Sequence, residues 1–458
     1  MMSILFTLPA LLSFAVFLPT DTVGEVSAEK TVLTEEKKPL RKVWCLQECI
    51  DYACQNNISV KSAQLDQQSA EVELKAAKAS RIPSLSFGSS QGFTNGSKFN
   101  EGNGNFVTTS QYTGTYALST GVTLYNGGRI NNTVKQRKVL HEASRLLVEK
   151  ARNDIELSVT ASFLEVLYAI ETLRADSAVL ENSRAQLELA EVRYEAGSIR
   201  KSEYTRIKAQ YETDHYSYVA TESNLANRKL ELKQLLEFGP DEELEVVVPE
   251  ADRLVLRQEE PSVAEIYETA LRNMPEIKAS ELRITASEYA RKAARAQMIP
   301  SLSLNASVGT GYYTTSQFSF LNQMHNNLNE NVNVGISIPI YQQRQAKSSI
   351  ETAKINTRQA MLNLQSEQKQ LLKEIEQAWQ DTRSARLRYA AARRQYEAAE
   401  VSYALVQEEY GAGGKTFVDV LAEKATYLAS VEELLKAKYQ AALSMRLIDF
   451  YMNRPASF

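Results

Sequence analysis

The stretch RIPSLSF at residues 81–87 returns in almost the same form as MIPSLSL at residues 298–304. The two copies lie 217 positions apart, and the same offset relates five further pairs of identical residues upstream of them. These pairs are Ala53 and Ala270, Asn56 and Asn273, Lys61 and Lys278, Leu65 and Leu282, and Ala77 and Ala294. Because a register kept over such a length is typical of internal repeats, the sequence predicts two structural repeats of one unit.

Each copy opens a segment in which apolar and small polar residues alternate. In residues 332–340, Val and Ile occupy every second position, with Asn, Gly, Ser and Pro between them. Residues 112–124 and 302–308 alternate in the same way. This period of two is the signature of a β-strand with two different faces. We therefore predict four strands per chain, at about residues 82–92, 111–125, 301–313 and 332–341.

The predicted strands fit a lipid-facing sheet better than a half-exposed soluble sheet, although both alternate identically. Strands of about ten residues with uncharged polar faces and aromatic residues near their ends are typical of transmembrane barrels. The aromatic residues in question are Phe87, Phe93, Tyr112, Tyr312 and Tyr313. The stretches 92–110 and 314–331 are rich in small polar residues and are predicted to be irregular loops.

Two very long helices are predicted after the strands. Residues 130–196 and 345–410 lack proline, and apolar residues recur along them at helical spacing. At 1.5 Å per residue each helix would be about 100 Å long. Each is expected to return through a shorter helix, residues 203–237 and 417–452, after a tip near residues 197–202 and 411–416. Helices of this length are typical of coiled coils and helical arrays.

The chain is therefore divided into two repeats and a connector. The first repeat is predicted at residues 29–238, the connector at 239–260 and the second repeat at 261–458. The apolar run at residues 4–18, followed by small residues at 26–28, predicts a signal peptide over residues 1–28.

Four membrane strands cannot close a barrel, because about eight are needed and an open edge in lipid leaves backbone groups unpaired. The protein must then oligomerise, and three chains would supply twelve strands around an open lumen. The expected fold is an α+β membrane protein: an oligomeric β-barrel, open if three chains form it, that continues into a long α-helical tube.

Net charge, motif spacing and the cysteines exclude or disfavour several other functions. A formal net charge of -4 gives no basic excess for nucleic acid. The sequence GKT at residues 414–416 is not a phosphate loop, because Glu409 stands where the earlier glycine is required. There are three cysteines, Cys45, Cys49 and Cys54. Their odd number argues against a closed set of disulfides, and the absence of a nearby histidine argues against a metal site, so ordinary thiols are expected. We predict no enzyme activity, cofactor or metal.

Two motifs give the sequence a family resemblance. The stretch LYNGGR at residues 124–129 resembles the strand-to-helix hallmark of TolC-like outer-membrane efflux proteins, and YGAGGKTFVDVL at residues 410–421 resembles their hairpin tip. Residues 194–204 form a weaker copy of that tip. The resemblance implies a homotrimer in outer-membrane lipid, a trimeric outer-membrane β-barrel that continues into a long periplasmic α-helical barrel. It would serve as a passive conduit of a tripartite efflux or type I secretion-like system. Its partners would be a periplasmic adaptor protein and an inner-membrane pump.

The same resemblance implies a gate at the periplasmic tips. By motif position Glu203 matches an acid that bonds a tyrosine, Tyr410 matches that tyrosine, Lys415 matches a nearby base, and Asp419 matches an acid facing the lumen. Another acidic position of the family is Ala422 here, which predicts a weaker ring of charge. The alternative is that these residues are solvated polar groups on helix ends.

Glycines mark the remaining candidate positions. Gly127, Gly128 and Arg129 are implied to form the strand-to-helix junction, whereas the second repeat has YQQR at residues 341–344 and lacks the glycine pair. The tips expected to dock on the adaptor are Gly197, Ser198, Gly413 and Gly414. A plain turn would equally explain the glycines. A soluble periplasmic coiled-coil scaffold or adaptor is the alternative function, and it would leave the four alternating strands unexplained.

Overall fold

The computed structural model describes residues 43–248, apart from residues 101 and 103, and residues 261–454. The predicted signal peptide at residues 1–28 lies outside the described residues, as do residues 249–260 of the predicted connector. Among the helices of the described residues, none has a stretch long and apolar enough to cross a membrane.

The first half of the chain runs from a helix pair through a strand hairpin into two long helices. Its elements are β1 (Val43–Trp44), α1 (Leu46–Asn56), α2 (Ile58–Ala79), β2 (Ser84–Asn100), β3 (Asn105–Asn126), α3 (Arg129–Glu195), α4 (Lys201–Leu235) and β4 (Glu245–Val246). β1 and β4 pair in parallel, so the segment after α4 returns to the start of the described chain.

The second half repeats the order of two short helices, two strands and two long helices, with a further helix between its strands. Its elements are α5 (Val263–Asn273), α6 (Pro275–Arg295), β5 (Ser301–Tyr313), α7 (Phe320–Asn326), β6 (Asn329–Ser337), α8 (Gln345–Gly411) and α9 (Phe417–Tyr451), with a single 3-10 turn, Ala296–Met298, before β5. The long helices α3 and α8 both have 67 residues. Their returning partners α4 and α9 both have 35 residues.

The four long strands form one antiparallel sheet in the order β2-β3-β5-β6. Its register places mainly small polar residues on one face and mainly apolar residues on the other. One row across the sheet contains only small polar side chains, Ser86, Ser119, Ser307 and Asn331. The next row along β2, β3 and β5 is apolar, with Phe87, Leu118 and Val308. The alternation read from the sequence is therefore preserved across these strands.

The prediction of a loop at residues 92–110 was wrong. β2 and β3 remain paired to their ends, where Asn100 lies opposite Asn105. Small polar side chains join the strands, since the Ser97 and Thr108 hydroxyls are 2.8 Å apart and the Ser110 hydroxyl donates to Asn95 at 3.2 Å. The Phe99 and Phe106 rings also pack across the strands, with centroids 5.3 Å apart. Such cross-strand pairs stabilise a hairpin, although the small polar composition of the stretch indicated a loop.

Two smaller boundaries in the second half also differ from the predictions. The predicted loop at residues 314–331 contains α7, and its last residues belong to β6. β6 ends at Ser337 instead of continuing to residue 341. Pro339 follows two residues later, and because proline has no backbone N–H it cannot continue a ladder of hydrogen bonds.

Two apolar cores fix the short helices on the long ones. In the first, Ile50 and Ala53 of α1 belong to one buried cluster with Val159 and Phe163 of α3. In the second, Ile266 and Ala270 of α5 cluster with Ile375 of α8. Each core therefore holds the short helix pair beside the middle of a long helix.

The cysteines belong to the first core or to its edge. Cys49 is fully buried, Cys45 immediately precedes α1 as its cap, and Cys54 is half-buried; none of these three forms a disulfide. Burial raises the pKa of the Cys54 thiol, with a smaller contribution from the negative charge of Glu156. A thiol held protonated in this way is a poor nucleophile.

Left-handed residues connect the sheet to both long helices. Gly127 and Gly128 have φ angles of 66° and 79°, and Gly128 caps α3, whose first residue is Arg129. In the second half Gln343 and Arg344 take the same conformation, with φ angles of 47° and 65°. The second junction thus makes the same turn without glycine, at a cost in backbone strain that glycine would avoid.

Replacing the two junction glycines should have unequal effects on the midpoint of thermal unfolding in detergent. The Cβ of Gly128→Ala would lie no closer than 3.7 Å to a neighbouring atom. The loss of folding free energy is therefore that of a left-handed backbone at a non-glycine residue, about 1–2 kcal/mol. Gly127→Ala should lower the midpoint further, because its Cβ would lie 2.7 Å from the Ile299 Cβ. Gly88→Ala has open space and no positive φ, and serves as the control. Equal midpoints for all three variants would contradict this account.

Candidate functional site

The tips of the two long hairpins are held together by a small apolar cluster. Ala190 of α3, Ile207 of α4 and both Phe417 and Val420 of α9 are buried there. Half-buried side chains of α8, including Tyr403, pack against the same cluster. Four helices therefore meet just above the two turns, and this contact sets the relative position of the tips.

The first turn is a Schellman motif, a glycine-terminated helix end with two specific backbone hydrogen bonds. The Ser198 N–H donates to the Arg193 carbonyl at 2.8 Å, and the Gly197 N–H donates to the Tyr194 carbonyl at 2.9 Å. Gly197 has a φ of 71°, which the motif requires at this position. A Cβ at Gly197 would meet nothing within 4 Å, so backbone conformation and not crowding selects glycine.

The second turn repeats this geometry. The Gly414 N–H donates to the Glu409 carbonyl at 2.8 Å, the Gly413 N–H donates to the Tyr410 carbonyl at 3.0 Å, and the φ of Gly413 is 82°. Gly413 and Gly414 are exposed, like Gly197 and Ser198 of the first turn. Both tips thus present short, exposed backbone with little side-chain bulk.

Two of the four predicted gate residues lie in contact. The Tyr410 hydroxyl on α8 donates a hydrogen bond of 3.1 Å to the Oε1 atom of Glu203 on α4. Burial raises the pKa of Tyr410, and the hydrogen bond to the Glu203 carboxylate raises it further. The hydroxyl therefore stays protonated and able to donate across the neutral range. This bond joins the second hairpin to the first at the tips.

The other two predicted gate residues have different partners within the chain. Lys415 lies 3.9 Å from a carboxylate oxygen of Glu409, and no contact with Glu203 is present. Asp419 accepts hydrogen bonds of 2.9 Å from the Thr416 N–H and 2.7 Å from the Thr416 hydroxyl. The Thr416 side chain in turn accepts from the Asp419 N–H, which completes a capping box at the start of α9. These bonds hold the pKa of Asp419 below its usual range.

The sequence analysis missed this capping box and a buried ionic cluster behind the tips. The capping box had a readable signal, since threonine followed three residues later by an acid marks a helix start. The cluster, Lys424 with Asp214 and Ser183, had none. Lys424 is separated by 210 residues from Asp214 and by 241 from Ser183, and each looks like a surface residue of a charged helix.

Proteins of known structure share this arrangement of a four-stranded sheet and paired long helices. The CmeC outer membrane channel of Campylobacter jejuni matches with a TM-score of 0.75 at 20% identity, over 89% of this chain and 85% of that one. The MtrE outer membrane channel of Neisseria gonorrhoeae, in its open state, matches with a TM-score of 0.71 at 20% identity, over 89% and 88%. The fold is that of outer-membrane channels.

The sequence places the chain within that class. It belongs to the outer membrane efflux protein family, whose sequence profile matches residues 49–237 and 266–453. The Outer membrane protein TolC of Salmonella enteritidis is 22% identical over 408 residues, which cover 87% of this chain and 79% of that protein. The protein is therefore an efflux channel of the outer membrane with a long periplasmic helical part, and not a soluble scaffold. The family is one of channel proteins.

Proposed function

We propose that the chain forms a passive homotrimeric conduit, with four strands from each chain closing a twelve-stranded barrel. The supporting observation is the sheet itself. β2 and β6 are its edge strands, and each has a single neighbour within the described chain. In lipid, an unpaired strand edge costs several kcal/mol for every unsatisfied backbone group. Pairing β2 of one chain with β6 of the next would satisfy both edges.

We also propose that the two halves are repeats of one unit. The helix lengths of 67 and 35 residues occur in both halves, and the turns at both tips use the same backbone hydrogen bonds. In a trimer, six such hairpins would surround a single tube below the barrel.

Chemical crosslinking of the detergent-solubilised protein should produce trimers as the largest species. Light scattering on the same sample should give three times the mass of the chain. The reason is the closure of the sheet edges, which two chains would satisfy only with a barrel too narrow for an open lumen. A sample containing only monomers and dimers would contradict the trimer.

The exposed tips are proposed to dock on a periplasmic adaptor protein, through which the channel would work with an inner-membrane pump. Both turns leave open space around their glycines, as a partner approaching backbone would need. Export substrates would then be selected by the pump, and the channel would contribute the passage through the outer membrane.

Bulky side chains at the tips should abolish channel-dependent drug resistance. Ser198→Trp and Gly414→Trp would each block close approach, and the Gly414 Cβ itself is tolerated because its nearest neighbour is 3.5 Å away. Resistance is measured in cells that lack their own channel and carry this one. Thr94→Trp, in the β2–β3 hairpin away from the tips, is the matched control and should retain resistance. If both tip variants assemble and still confer resistance, docking at the tips is wrong.

The Tyr410–Glu203 bond is proposed to hold the periplasmic end closed. A neutral hydrogen bond contributes about 1 kcal/mol net and one to a charged group somewhat more, so a few such bonds can close a tube that adaptor binding reopens. Lys415 is proposed to assist, since its 3.9 Å pair with Glu409 is solvent-exposed and weak enough to be exchanged. Asp419 is proposed as the acid that faces the lumen.

Tyr410→Phe combined with Glu203→Gln should raise single-channel conductance in planar bilayers and sensitise cells to large antibiotics. The double variant removes the donor and the charged acceptor while leaving the apolar contacts of the ring. Tyr194→Phe is the control, because the Tyr194 ring stacks on Tyr204 and its hydroxyl makes no hydrogen bond within the described chain. Wild-type conductance in the assembled double variant would rule out this gate and leave Glu203 and Tyr410 as ordinary polar residues of helix ends.

A further inference from the structure

A buried ionic cluster lies behind the tips, where both hairpins meet. The Nζ atom of Lys424 on α9 is 2.5 Å from the Oδ2 atom of Asp214 on α4, and it donates a hydrogen bond of 2.8 Å to the Ser183 hydroxyl on α3. Ser183 also donates to Asp214, whose Oδ1 atom accepts from the Gln210 side chain at 2.9 Å. The side chains of Lys424 and Asp214 are each only 6% exposed.

The cluster joins three of the four helices that form the tips, α3, α4 and α9. On the fourth helix, α8, Tyr403 is half-buried, and its pKa is raised first by burial and then by the negative charge of Asp214. Along α3 the cluster lies seven residues before Ala190, and along α9 it lies four residues after Val420. It is therefore one or two helical turns behind the apolar cluster that precedes the turns.

Charges and apolar side chains constrain packed helices in different ways. Apolar contacts between alanine-rich helices can be exchanged for similar contacts when one helix slides or rotates. A buried ammonium group cannot slide in this way, because a shift by one turn of about 5.4 Å would remove its partners and leave it charged and unpaired. A buried polar pair can thus select one register among several that apolar packing would permit.

We propose that Lys424 and Asp214 are positioning residues, which fix the axial register of the second hairpin against the first. They thereby hold Tyr410 opposite Glu203, and they confine movement of the tips to the residues beyond the cluster. The register itself is independent of the gate, whereas its effect on conductance rests on the proposed function. The tip bond can then be weak, because the cluster behind it already places the two residues within reach of each other.

The test replaces the cluster with apolar residues of similar size. Lys424→Met, Asp214→Leu and Ser183→Ala are combined, so that no charge is left buried without a partner. The control combines Lys438→Met with Glu171→Leu. That pair also joins α9 to α3, with distances of 2.8 and 2.9 Å, but it lies farther from the tips and its side chains are 13% and 17% exposed.

Register is measured by the distance distribution between spin labels on cysteines replacing Ser198 and Gly414. The three native cysteines are first replaced by alanine, and labelled chains are diluted with unlabelled ones so that pairs within one chain dominate. We expect a wider or multimodal distribution in the cluster variant and the parental distribution in the control variant. A cluster variant that assembles and keeps the parental distribution would overturn the proposal.

Conductance separates this inference from the gate. A wide distance distribution together with several conductance levels in the cluster variant supports both the register proposal and the gate. If the Tyr410 and Glu203 double variant keeps wild-type conductance, the proposed gate is wrong. The distance distribution in the cluster variant still tests whether Lys424 and Asp214 fix the register. If the cluster variant does not assemble, Lys424→Gln with Asp214→Asn removes both charges and keeps polar side chains of similar size, so a shifted register no longer leaves a buried charge unpaired. That variant should also widen the distribution, and an unchanged distribution there would equally overturn the proposal.

Discussion

Backbone hydrogen bonding along the edges of the sheet is the constraint on which the rest of the molecule depends. β2 and β6 each pair on one side within the chain, and their apolar side chains remain exposed, as Val332 at 72% and Ile336 at 71% illustrate. A sheet of this kind is unsuitable for a single chain in water. Lipid would cover the apolar face in an outer-membrane channel, and in the proposed trimer neighbouring chains would complete the edges.

Long helices extend that arrangement because a few left-handed residues redirect the chain. Gly127 and Gly128 turn a strand into α3, and Gln343 with Arg344 do the same before α8. Gly197 and Gly413 reverse the long helices at the tips. Between these points the long helices contain no proline that would break them. The positions of the turns therefore set the lengths of α3 and α8.

The polar contacts at the tips and those a few turns behind them differ in strength. At the tip, one hydrogen bond of 3.1 Å links Tyr410 with Glu203, and Lys415 forms only a weak exposed pair. About three turns behind this bond along α4, Asp214 and its partner Lys424 are almost completely removed from solvent. Breaking one partner of a buried pair is far more costly than breaking a surface contact. This difference in cost favours a tip that can move while the helices around Lys424 and Asp214 stay in place.

The sequence by itself determined the local structure, because helix and strand periods, glycine positions and the repeated motif all act over short range. It placed α3 and α8 within a residue or so of their observed ends, and it identified the strands on either side of residues 92–110. It failed within that stretch, where facing polar side chains and the aromatic pair Phe99 and Phe106, and not a continuous apolar alternation, maintain the strands. Family resemblance supplied the pair Glu203 and Tyr410. Only the tertiary structure decided that Lys415 approaches Glu409 and that Lys424 is buried with Asp214, since a helical period fixes which face a residue occupies but not the axial register of one long helix against another.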